Sequence, residues 1–347
     1  MVSLPTPLIP DLLDGPSVKW GIIGLGNIAS VFARTLHANT NQRIVAVASR
    51  DHTRAERFSK AYGVEKWVAS YEALVADPNV DAVYVATPQH LHKDHATLAI
   101  AAGKHVLIEK PLAHTAMDAR AIHLAAKGTD RLVMEALWTM YLPQADILRR
   151  LLQDGTLGKI KYVQADLGQD QTGNDRIFSQ RGGGVSHDVG IYCTAFISSV
   201  LPGAPSTISA VGELTADGVD KEISIASTYE NEARGLATSS MVSFTPSGAW
   251  VDAEQYSLRL QAPFVIPTTL DLLPREFNAV PLASWSDPSP IRGHDALCYQ
   301  ACYFAQYAHD GMRESQIRPL SHSVMDIETI SEARHQIGAV YSGEIVA

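Results

Sequence analysis

The feature that most constrains this chain is an apolar run that breaks at a glycine turn and resumes as an amphipathic stretch. Val18 to Ile23 reads as a buried strand and Gly24-Leu25-Gly26-Asn27-Ile28-Ala29 as a GxGxxA turn, with helical periodicity continuing to Leu36. Each small residue then has a task. Gly24 allows the tight turn, Gly26 lets a pyrophosphate approach the backbone, and Ala29 keeps helix and sheet close. Unpaired N–H groups at the start of the helix, around Asn27 and Ile28, face the phosphates with the positive end of the helix dipole. The turn is therefore read as a dinucleotide site.

The same rhythm continues. Strands are expected at 44–48, 83–86 and 105–108. Helices are expected from an Asp51 cap to a Gly63 stop, from 91 to 102, and from a Thr115 cap to 126. Such alternation implies βαβ units and a parallel, doubly wound sheet. Beyond a helix at 144–153 the pattern changes to strands joined by turns, at 159–167, 207–214, 222–229, 233–244 and 255–272. That favours a largely antiparallel sheet. Helical pattern returns at 295–310 and 323–341. The fold class is α/β: a doubly wound parallel-sheet domain over 18–138, then an α+β domain with a largely antiparallel sheet over 139–347, with the boundary falling around residues 130–145. A Pro-rich irregular arm, 1–17, precedes both.

The chain has 28 basic and 37 acidic residues, a net charge of −9, which disfavours nucleic acid as a partner. No apolar run nears the roughly 18–20 residues that span a bilayer, and the first residues lack a basic leader. Three cysteines, Cys193, Cys298 and Cys302, are too few for a disulfide framework. A cytoplasmic protein is expected.

The end of the second strand bears on which dinucleotide is bound. An NAD site usually carries an acid about 20 residues past the glycines. Here Ser49, 23 residues after Gly26, is followed by Arg50. A hydroxyl and a guanidinium suit a 2′-phosphate, and Asp51 is expected to be engaged as a helix cap, so NADP is favoured over NAD. Two further strand ends, Ala86-Thr87-Pro88-Gln89-His90-Leu91-His92 and Glu109-Lys110-Pro111, lie on the rim where doubly wound sheets place ligands.

Taken with AGKHVLIEKPLA at 102–113, GGGVSHDVGIY at 182–192 and MEALWTMYLP at 134–143, these runs make the chain resemble the glucose–fructose oxidoreductase/inositol dehydrogenase (Gfo/Idh/MocA) family. The resemblance extends from Val18 to about Glu344 and points to the dihydrodiol and NADP-dependent D-xylose dehydrogenase branch, which also shares LQAPFVIPTTL at 260–270. It implies that Lys110, Tyr192 and Asp188 form the catalytic set, with Tyr192 as acid/base. It also implies that Thr87, Pro88, His92, Glu109 and Lys110 join Gly24, Gly26, Asn27, Ile28, Ser49 and Arg50 in cofactor binding. Trp138 and Arg176 are implied in the substrate pocket, and His187 stands there as a wall or a second titrating group. The resemblance further implies a Rossmann domain followed by an open-faced α/β domain whose sheet often forms the dimer interface, so a homodimer is expected. Met140 and His187 depart from residues common in relatives.

The chemistry has its own logic. Oxidising a carbinol requires a hydride acceptor and a base, and a phenol becomes a better base beside a cation such as Lys110. The expected reaction is hydride transfer between nicotinamide and a small sugar, polyol or cyclic diol. A ring-hydroxyl dehydrogenase of glycosides and a non-catalytic NADP sensor are the rivals. His90, His92 and His95 suggest zinc by their spacing, but they splay around a helix start without a fourth ligand, so no metal is expected. Cys298 and Cys302 read as a buried helix face, and Trp20 and Trp67 as core.

Overall fold

The computed structural model describes residues 3–180 and 183–339. Gly182, which opens the GGGVSHDVGIY run, lies outside the described residues, as do 340 and 341 of the helix expected over 323–341, which within them ends at Gln336. The chain divides into two compact units.

The first unit comprises Ile9–Tyr141 and Ile291–Val324. Its strands and helices alternate: β1 (Lys19–Ile23), α1 (Asn27–Asn39), β2 (Arg43–Ala48), α2 (His52–Tyr62), β3 (Lys66–Val68), α3 (Tyr71–Val75) and β4 (Ala82–Val85). They continue as α4 (His92–Ala101), β5 (His105–Glu109), α5 (Ala116–Lys127) and β6 (Val133–Ala136). The six strands are all parallel in the order β3-β2-β1-β4-β5-β6. This doubly wound order reverses direction between β1 and β4. The expected caps are present: the Asp51 carboxylate accepts the Arg54 N–H at 3.1 Å and Thr115 Oγ accepts the Asp118 N–H at 3.1 Å. Gly63 ends α2 in the left-handed region, φ 62°. Trp20 is fully buried, with its ring centroid 5.4 Å from Phe32 and 4.8 Å from Phe304. Trp67, read as core, is only half-buried against His52.

The second unit comprises the described parts of Met1–Leu8, Leu142–Pro290 and Met325–Ala347. It holds α6 (Pro143–Gln153), β7 (Ile160–Gly168), α7 (Ile191–Val200), β8 (Thr207–Leu214), β9 (Asp220–Thr228), β10 (Arg234–Ser240) and β11 (Ala249–Ala253). Strands β12 (Ser257–Leu260), β13 (Leu270–Leu273) and β14 (Ala283–Trp285) complete it. The eight strands run β14-β13-β12-β11-β7-β10-β9-β8, and only β7 with β10 is parallel. Helix α7 is buried almost all round, as a core helix must be when apolar on every face. The single strand expected over 255–272 is two strands, because Pro263 and Pro267 deny the intervening loop ladder donors. Strands β11 and β14, five and three residues long, are not among the expected strands.

Two helices follow, α8 (Leu297–His309) and α9 (Leu320–Gln336). Residues 291–324, expected within one contiguous domain after 138, pack into the first unit instead. Phe304 lies against Trp20, the Val133 N–H donates to the Arg313 carbonyl at 3.0 Å, and Arg318 Nε is 2.7 Å from Glu135 Oε2. These contacts are long-range, so local sequence could not announce them. Among the described residues, no helix is long and apolar enough to cross a membrane.

Candidate active site

In the first unit the candidate residues gather at the carboxyl ends of β1, β2, β4 and β5. Gly24 has φ 89°, and a Cβ there would lie 2.7 Å from the Ala86 carbonyl carbon and the Thr87 nitrogen. Glycine is thus required twice, for conformation and for closeness to the end of β4. Gly26 is the reverse case: a Cβ there would meet nothing within 4 Å. Open space stands where a ligand must come near the backbone. Helix α1, with Gly26 at its N-cap, has no side-chain cap and no acid in its first turn, whereas α2, α3 and α5 are capped by Asp51, Ser70 and Thr115. Its N–H groups at Asn27 and Ile28 and the positive dipole end fit a pyrophosphate. Ala29 is fully buried.

At the end of β2, Ser49 is buried and its Oγ accepts the Asp51 N–H at 3.2 Å, while Arg50 is exposed. Asp51 is committed to its capping bond, as expected.

The turn after β5 is held at three successive residues. The Lys110 N–H donates to Glu109 Oε2 at 3.1 Å, the Pro111 carbonyl lies 2.9 Å from His92 Nδ1, and the Leu112 N–H donates to Glu135 Oε1 at 2.8 Å. The other His92 nitrogen is 2.8 Å from the Thr87 carbonyl, so one buried imidazole links the ends of β4 and β5. Burial pushes His92 down to about 4, outweighing the carbonyls that favour its charged form. His95 Nδ1 is 3.0 Å from Thr87 Oγ. The H-x-H-x-x-H spacing therefore serves internal hydrogen bonding at two of its three rings. Among the described residues no group of three His, Cys, Asp or Glu could hold a metal ion.

Glu109 is 6% exposed, so its carboxyl is turned inward. Burial raises it to about 7, against the Tyr84 hydrogen bond and the Lys110 charge, which both pull it down. Trp138, 3% exposed, follows β6 in a short 3₁₀ turn, with its ring 5.4 Å from that of His294. His294 escaped the sequence reading, since it comes from the 291–324 segment and carries no motif. Burial and then the Lys110 charge hold its imidazole below the ordinary value, which puts it within electrostatic reach of the lysine. Cys298 and Cys302 are buried, and burial pushes both thiols up to about 12, so neither is poised as a nucleophile.

The remaining candidates lie in the second unit. Residues Ser186–Gly190 wind as a wider π turn that runs directly into α7, which carries Tyr192 near its start. Asp220 on β9 anchors this turn, accepting the Ser186 N–H at 2.8 Å and the hydroxyl at 2.5 Å. A Cβ on Gly190 would come 2.8 Å from Ser239 Oγ, so glycine allows the turn to press on β10. Asp188 and Tyr192 are four residues apart on this continuous helical path, the spacing that brings side chains to one face. Arg176 Nη2 lies 3.6 Å from Asp188 Oδ1, which joins two sequence candidates. His187 is fully buried and Tyr192 is 8% exposed. Lys110 and Tyr192 belong to different units.

The oxidoreductase family model with an NAD-binding Rossmann fold matches residues 18–137, and the GFO/IDH/MocA C-terminal domain model matches 146–259. The trans-1,2-dihydrobenzene-1,2-diol dehydrogenase of Mus musculus is 33% identical over 330 residues, covering 94% of this chain and 98% of its own. The Homo sapiens enzyme is 32% identical over 329 residues, with 94% and 98% covered. Among solved structures, levoglucosan dehydrogenase with NADH and levoglucosan superposes with a TM-score of 0.81 at 18% identity, covering 92% of this chain and 98% of that one. A 3-ketoreductase from Actinomadura kijaniata with NADP and TDP-benzene gives 0.77 at 24% identity, with 92% and 98% covered. At such identities these structures speak for the fold alone. An uncapped helix over an open glycine turn, a parallel sheet in doubly wound order and relatives matched along nearly the whole chain agree: the protein belongs to the GFO/IDH/MocA family of NAD(P)-dependent oxidoreductases.

Proposed function

We propose that this enzyme moves a hydride between NADP and the CH–OH carbon of a small sugar, polyol or cyclic diol. The observation that carries the reading is the lysine at the end of β5, held at three successive backbone positions on the same rim as an uncapped helix N-terminus. The dinucleotide, when bound, accepts or returns the hydride. Gly24, Gly26, Asn27 and Ile28 take its pyrophosphate. Arg50 with Ser49 takes the 2′-phosphate, a charge that an exposed guanidinium recognises in a matched fork. Thr87, Pro88 and His92 shape the rim beside it.

Tyr192 takes the hydroxyl proton as its phenolate in oxidation and returns it as the phenol in reduction, and the Lys110 ammonium favours negative charge on the reacting substrate oxygen. Asp188, steadied by Arg176, orients the substrate hydroxyl. Trp138 supplies an apolar wall and His187 a buried one. A trans-dihydrodiol or an aldose such as D-xylose fits this scheme, and the curated relatives act on the former. A second copy of the chain is assigned to the open face of the eight-stranded sheet. Gly235 and Ser239 face the α7 side, so Arg234, Leu236 and Thr238 point the other way. In register beside Leu236 lie Gln164 and then Trp250, both partly exposed, and Val211 on β8 is 71% exposed.

The test is absorbance of reduced nicotinamide with trans-1,2-dihydrobenzene-1,2-diol, D-xylose and levoglucosan, each with NADP+ and NAD+. Tyr192→Phe and Lys110→Ala are each expected to lower turnover by about 100-fold or more while NADP binding persists. Near-normal turnover in either variant overturns the assigned roles. Tight NADP binding without turnover of any substrate would leave a sensor, and turnover of levoglucosan alone would favour a ring-hydroxyl dehydrogenase. Sedimentation of wild type and Leu236→Asp tests the dimer.

A further inference from the structure

Beneath Lys110 lies a buried phenol that no motif singles out. Tyr84 sits on β4 opposite Leu107 of β5, and Glu109 is two residues further along β5, so both side chains share one face of the sheet. Tyr84 is fully buried and its ring stacks on Phe32 of α1, centroids 4.1 Å apart and planes 25° apart. Its hydroxyl donates to Glu109 Oε1, and Glu109 Oε2 accepts the Lys110 N–H at 3.1 Å. A continuous path therefore runs from the aromatic core to the backbone of the lysine.

We propose that Tyr84 is a positioning residue for Lys110, acting through the Glu109 carboxyl to fix the lysine's backbone and to keep a negative charge beside it. The inference rests on the catalytic reading of Lys110 given above. The groups that face the Glu109 carboxyl are Tyr84 from β4, Lys110 from its own strand end and Glu135 from β6. Glu135 is already paired with Arg318 and accepts the Ser323 hydroxyl at 2.6 Å. Burial raises Glu109 to about 7, and the Tyr84 hydrogen bond is the largest influence opposing that rise. Removing the phenolic hydroxyl lets the carboxyl climb further, so it holds its proton through neutral pH and Lys110 loses its anionic neighbour. A residue that merely filled space would leave this titration unchanged.

The experiment follows Tyr84→Phe in two ways. The first is the pH profile of kcat and KM with NADP+ and whichever of the three substrates turns over. The acid limb is expected to move up by about one pH unit, with kcat near pH 7 down roughly tenfold and the cofactor KM within about twofold. The second is infrared titration of the buried carboxyl C=O band, assigned by its loss in Glu109→Gln, where the same upward displacement is expected without any turnover. A band that titrates as in wild type overturns the proposal, as does a kcat profile superimposable on wild type. Full activity of Lys110→Ala would refute the catalytic reading, while the infrared titration would still report on the Tyr84–Glu109 pair. If Tyr84→Phe does not fold, Glu109→Gln serves instead: kcat near pH 7 should fall roughly tenfold with the cofactor KM within about twofold, and a kcat profile superimposable on wild type overturns the idea.

Discussion

His92 and Pro111 are joined by a contact of 2.9 Å between the buried imidazole Nδ1 and a backbone carbonyl, although 19 residues separate them. Its other nitrogen lies 2.8 Å from the Thr87 carbonyl, so the imidazole sits between the turn that follows Lys110 and the end of the neighbouring strand and, while neutral, donates to one of the two carbonyls. The contact has a cost in acid. The folded imidazole takes its proton only near 4, against 6.5 in the unfolded chain, so protons favour unfolding. The contribution is whole above about 6.5 and drains away as pH falls towards 4, by an amount on the order of 3 kcal/mol. Urea unfolding across that range should show the decline, and His92→Gln should flatten it. An equally steep decline in the variant would assign the effect elsewhere.

The two glycines of the turn are expected to fail differently. Gly24→Ala forces a Cβ to within 2.7 Å of the Ala86–Thr87 backbone at φ 89°, so stability should fall by about 2 kcal/mol or more. Gly26→Ala meets nothing within 4 Å, so stability should hold while NADP affinity drops at least about tenfold. Thermal melts beside fluorescence titration with NADPH separate the outcomes. Unchanged cofactor affinity in Gly26→Ala would contradict a pyrophosphate at this turn.

Arg50 should decide between cofactors. Arg50→Ala is expected to raise the KM for NADP by roughly 10- to 100-fold and leave that for NAD nearly as it was, since one charge-assisted fork to a phosphate is lost. Equal effects on both would move the 2′-phosphate contact to another residue.

His294 gives a readout of site geometry that needs no substrate. The Lys110 charge holds its imidazole low, second only to burial, so Lys110→Ala should raise the His294 pKa in a proton NMR titration. Lys110→Arg, which keeps the charge, should restore it. An imidazole that ignores the substitution would place the ammonium elsewhere.

Much of the first unit was legible because its signals are local. Asp51, Thr115 and Gly63 fix helix ends within a few residues of themselves, and Gly24 and Gly26 are set by a turn between one strand and one helix. Strand and helix periodicities report burial directly, so the α/β class and the change of rhythm near α6 could be read from the chain alone. Tertiary structure decided what depends on residues far apart in sequence. It placed 291–324 beside β6 through Arg318 and Glu135, brought His294 onto Trp138, turned Glu109 inward towards Tyr84 and set Arg176 against Asp188. It also wound Ser186–Gly190 as a π turn, pressed on β10 through Gly190. A sequence states which residues are apolar, capped or bendable, but which buried charges meet is settled only when packing removes the water between them.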